Sequence, residues 1–176
     1  AVAALLAEEL RPLWRPCALL LHDLGAGRRL LAWTFASEPR LTAPLRTSAA
    51  AAGLALNVHG LLAPCSTDRR SPGACLGHKL PALWRVLPAL RPRDAVLVAD
   101  AYDVLALAPP AAVRSLLEDS GADILFSTEQ QCWPDAEVAA EYPSGPTPFR
   151  YLNSGVYVGY AAALQRASDE ILRAFG

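Results

Sequence analysis

The 176-residue sequence contains no methionine. It is therefore expected to be a segment of a longer chain, and its lack of a targeting signal says little about where the parent protein works. Cysteine is scarce. Cys17, Cys65, Cys75 and Cys132 form no CxxC pair, which argues against a zinc knuckle. Cys65 and Cys75 flank a polar loop and could pair in an oxidising compartment, but spacing alone does not set connectivity. No uninterrupted apolar run approaches the ~18–20 residues that span a bilayer. The first apolar stretch is broken by Glu8, Glu9 and Arg11, and it lacks the basic start and clean apolar centre of a signal peptide. There is no basic tract and the net charge is −1, so no nucleic-acid footprint is present. The pairs Arg28-Arg29 and Arg69-Arg70 read as solvated loop charges. His22, His59 and His78 share no ligand spacing such as HExxH and read as structural. His59 and His78 flank the candidate site entrance and stay as secondary candidates.

What is present is a globular composition: 53% hydrophobic and 19% charged residues, enough for a core and too apolar for disorder. Residues 1–22 read as a helix and then a segment broken by Pro12 and Pro16. Leu30 to Ala36 reads as a buried strand, with Ser37-Glu38-Pro39 as its turn. Residues 40–52 read as a helix ending at Gly53, and Leu54 to Val58 as a second strand. Residues 59–74 form a mixed polar loop. Helical spacing returns over 75–90, with Pro81 placed near the first turn. Ala95 to Val98 fits a central parallel strand buried on both faces. Pro109-Pro110 opens a helix that ends at Ser120-Gly121, and Ile124 to Phe126 is a further short buried strand. Alternating strands and helices predict an α/β sheet, with no internal repeat and no linker.

The run VLVADAYDVLAL carries two aspartates, Asp100 and Asp103, at the end of an oily strand. A carboxylate there is costly unless it is paired, hydrogen-bonded or metal-bound. Ligands of open α/β sheets bind beyond the carboxyl ends of strands, where Asp100 sits. In a continuing strand the odd offset would send the two carboxylates to opposite faces. A turn just after Asp100 lets them converge, and a hard divalent cation, magnesium or manganese, would relieve their repulsion. Tyr102 between them could offer its ring to a base or sugar. The competing reading makes Asp100 a turn cap and Asp103 a solvent-exposed charge, and D-x-x-D alone does not choose.

Downstream lie FSTEQQCWPDAEVAAEYP and FRYLNSGVYVGYA. Glu129, Cys132 and Trp133 directly follow a strand, where a sheet presents a site. Asn153-Ser154-Gly155 reads as a turn interrupting a strand-like aromatic segment, with Asn a hydrogen-bonding group and Gly permitting close backbone approach. The competing reading is a packed Trp and a plain turn.

Taken together, VLVADAYDVLAL, ILFSTEQQCWPD, AAEYP and RYLNSGVYVGYA resemble, in order and spacing, the glycosyltransferase domain of procollagen lysyl hydroxylases. They are also similar to collagen-type galactosyltransferases. The likeness is dense over about residues 95–162 and weaker upstream, where LLAWTFASE resembles the family's first strand and GHKLPALWRVL its Gly-Gln-Lys helix. The resemblance implies an α/β, GT-A-like, Rossmann-type nucleotide-sugar-binding sheet flanked by helices. This partial domain would cover residues 29–176, after an extension of uncertain role at 1–28. It implies that Asp100 and Asp103 hold Mn2+ (or Mg2+) on the diphosphate of a UDP-sugar, UDP-glucose or UDP-galactose. It implies Tyr102 near the uridine, Lys79 at a phosphate, and Cys132, Ser154 and Gly155 around the donor. It implies Glu129, Trp133 and Asn153 as the catalytic set around sugar and acceptor. The acceptor would be a hydroxylated protein side chain, hydroxylysine-like, or a sugar on it, in the lumen of the endoplasmic reticulum or Golgi. Lys79 has a competing reading as a solvated helix lysine.

Two departures accompany the likeness. The family's polyacidic Asp-Asp-Gln segment and its late metal-binding histidine have no counterpart before Gly176, so the segment alone is expected to lack a metal ligand and part of the sugar pocket. The family's Trp-Arg-Gly-Gly loop has no clear counterpart in residues 59–74. Two other functions compete: a non-catalytic domain that binds a nucleotide sugar or supports a partner domain, and a HAD-type phosphohydrolase. The latter needs D-x-D directly, and VADAYDV has one residue too many.

Overall fold

In a computed structural model the chain is described over residues 19–60, 73–133 and 135–175. The core begins where the sequence is most apolar. β2 (Arg29–Phe35) buries Leu30, Leu31, Ala32, Trp33 and Thr34 completely, on both faces. β4 (Ala95–Asp100) runs parallel beside it in a register that ends on Phe35 opposite Asp100. β3 (Leu56–His59) pairs parallel with the C-terminal half of β2 on its other edge, and β1 (Leu21–Asp23) pairs antiparallel with its N-terminal half. The Asn57 side chain fills the seam between these two short strands. It accepts from the Leu20 N–H at 2.9 Å and donates to the carbonyls of Leu20 and Ala32.

Beyond β4 the sheet turns antiparallel. β6 (Tyr151–Tyr160) pairs antiparallel with β4, and β5 (Ile124–Glu129) forms the far edge, antiparallel to β6. Two layers of helix cover the sheet. On one face α2 (Gly73–Val86) and α4 (Ala161–Phe175) pack Ala82, Leu83 and Leu164 against Leu31, Trp33, Val96, Val98 and Tyr157. On the other, α1 (Ala43–Ala51) and α3 (Pro110–Ser120) pack Ala49 and Leu117 against Leu30, Ala32, Ala95 and Val158. Each fully buried leucine contributes about 1.5–3 kcal/mol. The mixed α/β sheet flanked by helices is the GT-A-like class expected from the sequence. No helix among the described residues is long and apolar enough to cross a membrane.

Several local expectations need correction. Asn153-Ser154-Gly155 is not a turn: β6 runs through it, and the extra residues form a bulge, because the register jumps from Phe126–Tyr157 to Ser127–Asn153. β5 is not a short buried strand. It extends to Glu129 and, as an edge strand, leaves Phe126 39% exposed. The central strand β4 is parallel to β2 alone, since β6 returns antiparallel on its other side. Pro81 lies inside α2 rather than near its first turn, because the helix starts upstream at Gly73 and continues past it at the expense of one backbone hydrogen bond. The sheet also starts upstream of residue 29, at Leu21, within the stretch expected to be an extension. Most of the helix and Pro-broken segment expected over residues 1–22, most of the loop expected over 59–74 and the Cys65–Cys75 pairing lie outside the described residues.

Candidate functional site

The chain leaves β2 for β3 on one side and then crosses to β4 on the other. The carboxyl ends of β2 and β4 therefore flank a topological switch point, the place where open α/β sheets leave a crevice for ligands. A cleft of about 290 Å³ opens there, lined by Phe35, Ser37, Lys79, Asp100, Ala101, Tyr102 and Asp103. The chain bends over residues 101–103, so Asp100 and Asp103 border one cleft rather than opposite faces.

Alternation along β4 places Asp100 on the same face as Val96 and Val98, toward α2. There Lys79, one turn before Leu83, reaches it. The ammonium donates to Asp100 Oδ1 at 2.5 Å and to the Ser154 carbonyl at 2.8 Å. It also lies 5.7 Å from the centre of the Tyr157 ring. The Lys79 side chain is only 15% exposed and that of Asp100 is 36% exposed. Lys79 is thus not a solvated helix lysine; its charge is aimed into the site. Tyr157, paired with Val98 in the sheet, lies beneath these groups. Its burial, reinforced by the negative charge of Asp100, pushes its phenol far above the ordinary range, so it stays protonated.

Asn153, Ser154 and Gly155, in the bulge of β6, are not in the cleft's lining but adjoin Asp100 and Lys79 from the neighbouring strand. The Asn153 side-chain oxygen accepts from the Gly155 N–H at 2.6 Å and lies 3.3 Å from the Ser127 hydroxyl. Ser127 also donates to the Asn153 carbonyl. A Cβ on Gly155 would fall 2.7 Å from that Asn153 oxygen and 3.1 Å from Asp100 Oδ2. Gly155 therefore leaves the space in which Asp100 and Asn153 approach each other. Tyr102 is held by its hydroxyl, which accepts from the backbone N–H groups of Ser37 at 2.9 Å and Glu38 at 3.1 Å. Its ring remains 43% exposed along the cleft.

Glu129, Cys132 and Trp133 are not in the lining of this cleft. β5 runs in the same direction as β4, so they follow its carboxyl end at the same edge of the sheet, one strand beyond β6. Glu129 pairs with Tyr151 in the ladder, Trp133 is 61% exposed, and the Cys132 thiol donates to the Asp135 carbonyl. Of the histidines, His22 accepts from the Ala55 N–H at 2.8 Å and ties β1 to the turn before β3. His59 packs its ring near Trp33, and burial lowers its pKa. His78 stacks on Phe35 at the cleft's edge. Sequence reasoning missed Phe35, Ser37, Ser127 and Tyr157. For Tyr157 the available signal was the apolar, strand-like run from Val156 to Tyr160, which the sheet pairs with the strand that ends on Asp100.

The donor chemistry suits a hard divalent cation. Mg2+-like ions are commonly held by one or two carboxylates, with phosphate oxygens and water completing the shell. Asp100 and Asp103 supply two carboxylates on one cleft. Among the described residues no three His, Cys, Asp or Glu side chains gather.

A family model for the PLOD GT domain matches residues 28–171. The chain belongs to this glycosyltransferase domain family. Within it, a procollagen-lysine,2-oxoglutarate 5-dioxygenase of Drosophila melanogaster is 37% identical over 97 residues, 53% of this chain and 13% of that protein. The multifunctional procollagen lysine hydroxylase and glycosyltransferase LH3 of Rattus norvegicus is 37% identical over 71 residues, 40% of this chain and 10% of that protein. An uncharacterized protein, R699, of Acanthamoeba polyphaga mimivirus is 35% identical over 88 residues, 48% of this chain. The matches span 10% to 19% of the length of these relatives. The PLOD GT match includes β2, β4 and β6, and so the whole cleft described above.

Proposed function

We propose that this PLOD GT domain transfers a hexose from a UDP-sugar, UDP-glucose or UDP-galactose, with Mn2+ or Mg2+ as its metal. The acceptor is a hydroxylated protein side chain, hydroxylysine-like, or a sugar already attached to one. The reading places the protein in the lumen of the endoplasmic reticulum or Golgi. The observation that carries it is that Asp100, Asp103, Tyr102 and Lys79 line one cleft at the switch point of the sheet.

In this reading Asp100 and Asp103 hold the cation, which acts as a Lewis acid for the departing diphosphate. Breaking the anomeric C–O bond leaves positive charge on the sugar and negative charge on the diphosphate. Lys79 faces that negative charge from α2. Tyr102 presents its exposed ring to the uridine, its hydroxyl already spent on the Ser37 and Glu38 amides. Gly155 and Ser154 bring backbone close to the donor. Asn153 and Glu129 hydrogen-bond sugar hydroxyls, and Trp133 packs on a sugar face. Cys132 borders the donor beside them.

The test is release of UDP from UDP-glucose and UDP-galactose with a hydroxylysine peptide or its galactosylated form. It is run with manganese and with chelator, on wild type and Asp100→Asn. Manganese-dependent release that needs the peptide and is lost in Asp100→Asn supports the reading. Donor binding without any transfer would favour a non-catalytic domain that binds nucleotide sugar.

A further inference from the structure

Lys79 sits in a built cation cage. Its ammonium has a carboxylate on one side, a main-chain carbonyl on another and an aromatic ring nearby. The side chain is 15% exposed, so few waters share the charge. The carboxylate it occupies belongs to Asp100, the residue assigned above to the divalent cation. An ammonium 2.5 Å from Asp100 Oδ1 and a divalent cation on the same carboxylate repel each other and compete for its single negative charge. The other oxygen, Oδ2, faces Gly155.

From this conflict we infer that Lys79 is an exchangeable internal cation that couples metal binding to donor binding. The inference rests on the metal-and-diphosphate reading proposed above. Without ligand, Lys79 neutralises Asp100 and blocks the metal. A nucleoside diphosphate offers the ammonium a new anionic partner within the same cleft. Lys79 then leaves Asp100 Oδ1, and the metal takes its place. Metal alone must displace the ammonium and leave it in a confined, positively charged cleft, so metal alone binds weakly. Linkage requires the converse: the metal tightens the diphosphate by the same factor. Tyr157 keeps its proton throughout and adds no negative charge to the cage. Among the described residues that line the cleft, the remaining charged group is Asp103.

The test is calorimetric titration of manganese alone, of UDP alone, and of manganese at saturating UDP, on wild type, Lys79→Met and Lys79→Arg. A thermal melt of each variant checks that it is folded. In wild type, UDP should tighten manganese about tenfold or more beyond the affinity of free UDP for the ion. Lys79→Met should bind manganese alone about tenfold more tightly than wild type, lose a similar factor of coupling, and bind UDP alone more weakly. Lys79→Arg, which keeps the charge, should retain weak binding of manganese alone. Acylation of the Lys79 amine, read by mass spectrometry, should rise with manganese and fall again when UDP is added. Manganese-dependent UDP binding with unchanged manganese affinity in Lys79→Met would overturn the exchange while leaving the donor site intact. Absence of manganese-dependent UDP binding in wild type would overturn both the exchange and the donor-site reading.

Discussion

The two ends of β4 carry one aspartate each, and the two are treated oppositely. Asp94, just before the strand, is 1% exposed and fully engaged: the Arg29 guanidinium grips both its oxygens, and the Arg91 N–H donates to it at 2.8 Å. Nearby, Arg114 donates to Glu118 and to the Arg93 carbonyl, while Arg28 reaches Glu118 from β2's start. The rings and cations continue the pattern, with Arg93 stacked 3.9 Å from the Tyr160 ring centre. Asp100, at the other end, is a third exposed, has one amine on one oxygen, and borders an open cleft. A carboxylate held on both oxygens by a guanidinium and a backbone amide fastens the fold. One held by a single flexible lysine stays available to a ligand.

Breaking the closed end should produce the largest stability loss. Asp94→Ala leaves the Arg29 guanidinium without its partner and should cost about 3 kcal/mol in urea unfolding, since removing one member of a buried pair strands the other. Manganese-dependent UDP binding by the remaining folded protein should be unchanged. An effect on binding as large as the effect on stability would erase the distinction between the two ends.

At the open end, Gly155→Ala should act on the site more than on the fold. The added Cβ, 3.1 Å from Asp100 Oδ2, pushes the carboxylate or Asn153 aside. UDP affinity in manganese should fall about tenfold, roughly 1.4 kcal/mol, with a smaller change in melting temperature.

Acid should remove stability in two stages, at different pH. Burial works to raise the Asp94 carboxyl, but the Arg29 and Arg91 hydrogen bonds and charges outweigh it and hold it below the usual carboxylate range. Hydrogen bonding from Arg114, and then from Arg28, likewise lowers Glu118 against a burial effect. Stability from such groups is complete above their unfolded pKa, about 4, and is lost as pH falls through the lower folded values. Buried His59 is lowered too, so the unfolded chain takes up its proton first, and a shallower loss should begin below about pH 6.5. Thermal melts from pH 7 to pH 2.5 should show both stages. His59→Phe should flatten the upper one and Asp94→Asn the lower. A profile level down to pH 3 would contradict the account of the closed end.

The smallest effect is expected from Tyr102→Phe. It removes the hydroxyl that accepts from Ser37 and Glu38 while keeping the ring, so unfolding should shift by about 1 kcal/mol. UDP affinity should fall only modestly.

The difference between the ends also explains what could be read from sequence. β2, β4 and α3 announce themselves, because apolar runs, Pro110 and the left-handed Gly121 act locally. The cleft's floor was legible for the same reason: Asp100 ends an oily strand. β1 was not legible, since three residues carry little pattern and it exists only by pairing with β2. The bulge at Asn153–Gly155 was read as a turn because its geometry is set by β5, a partner strand more than twenty residues upstream. The Lys79–Asp100 pair joins a helix to a strand, and no periodicity in either element announces it.

The most direct test of the central claim, that the Asp100 end is where donor and metal meet, is UDP titration of wild type and Asp100→Asn in manganese and in chelator. The account expects manganese-dependent binding in wild type and its loss in Asp100→Asn, with a cooperative thermal melt showing that the variant is folded. Equal UDP affinity of the two proteins in manganese would contradict it.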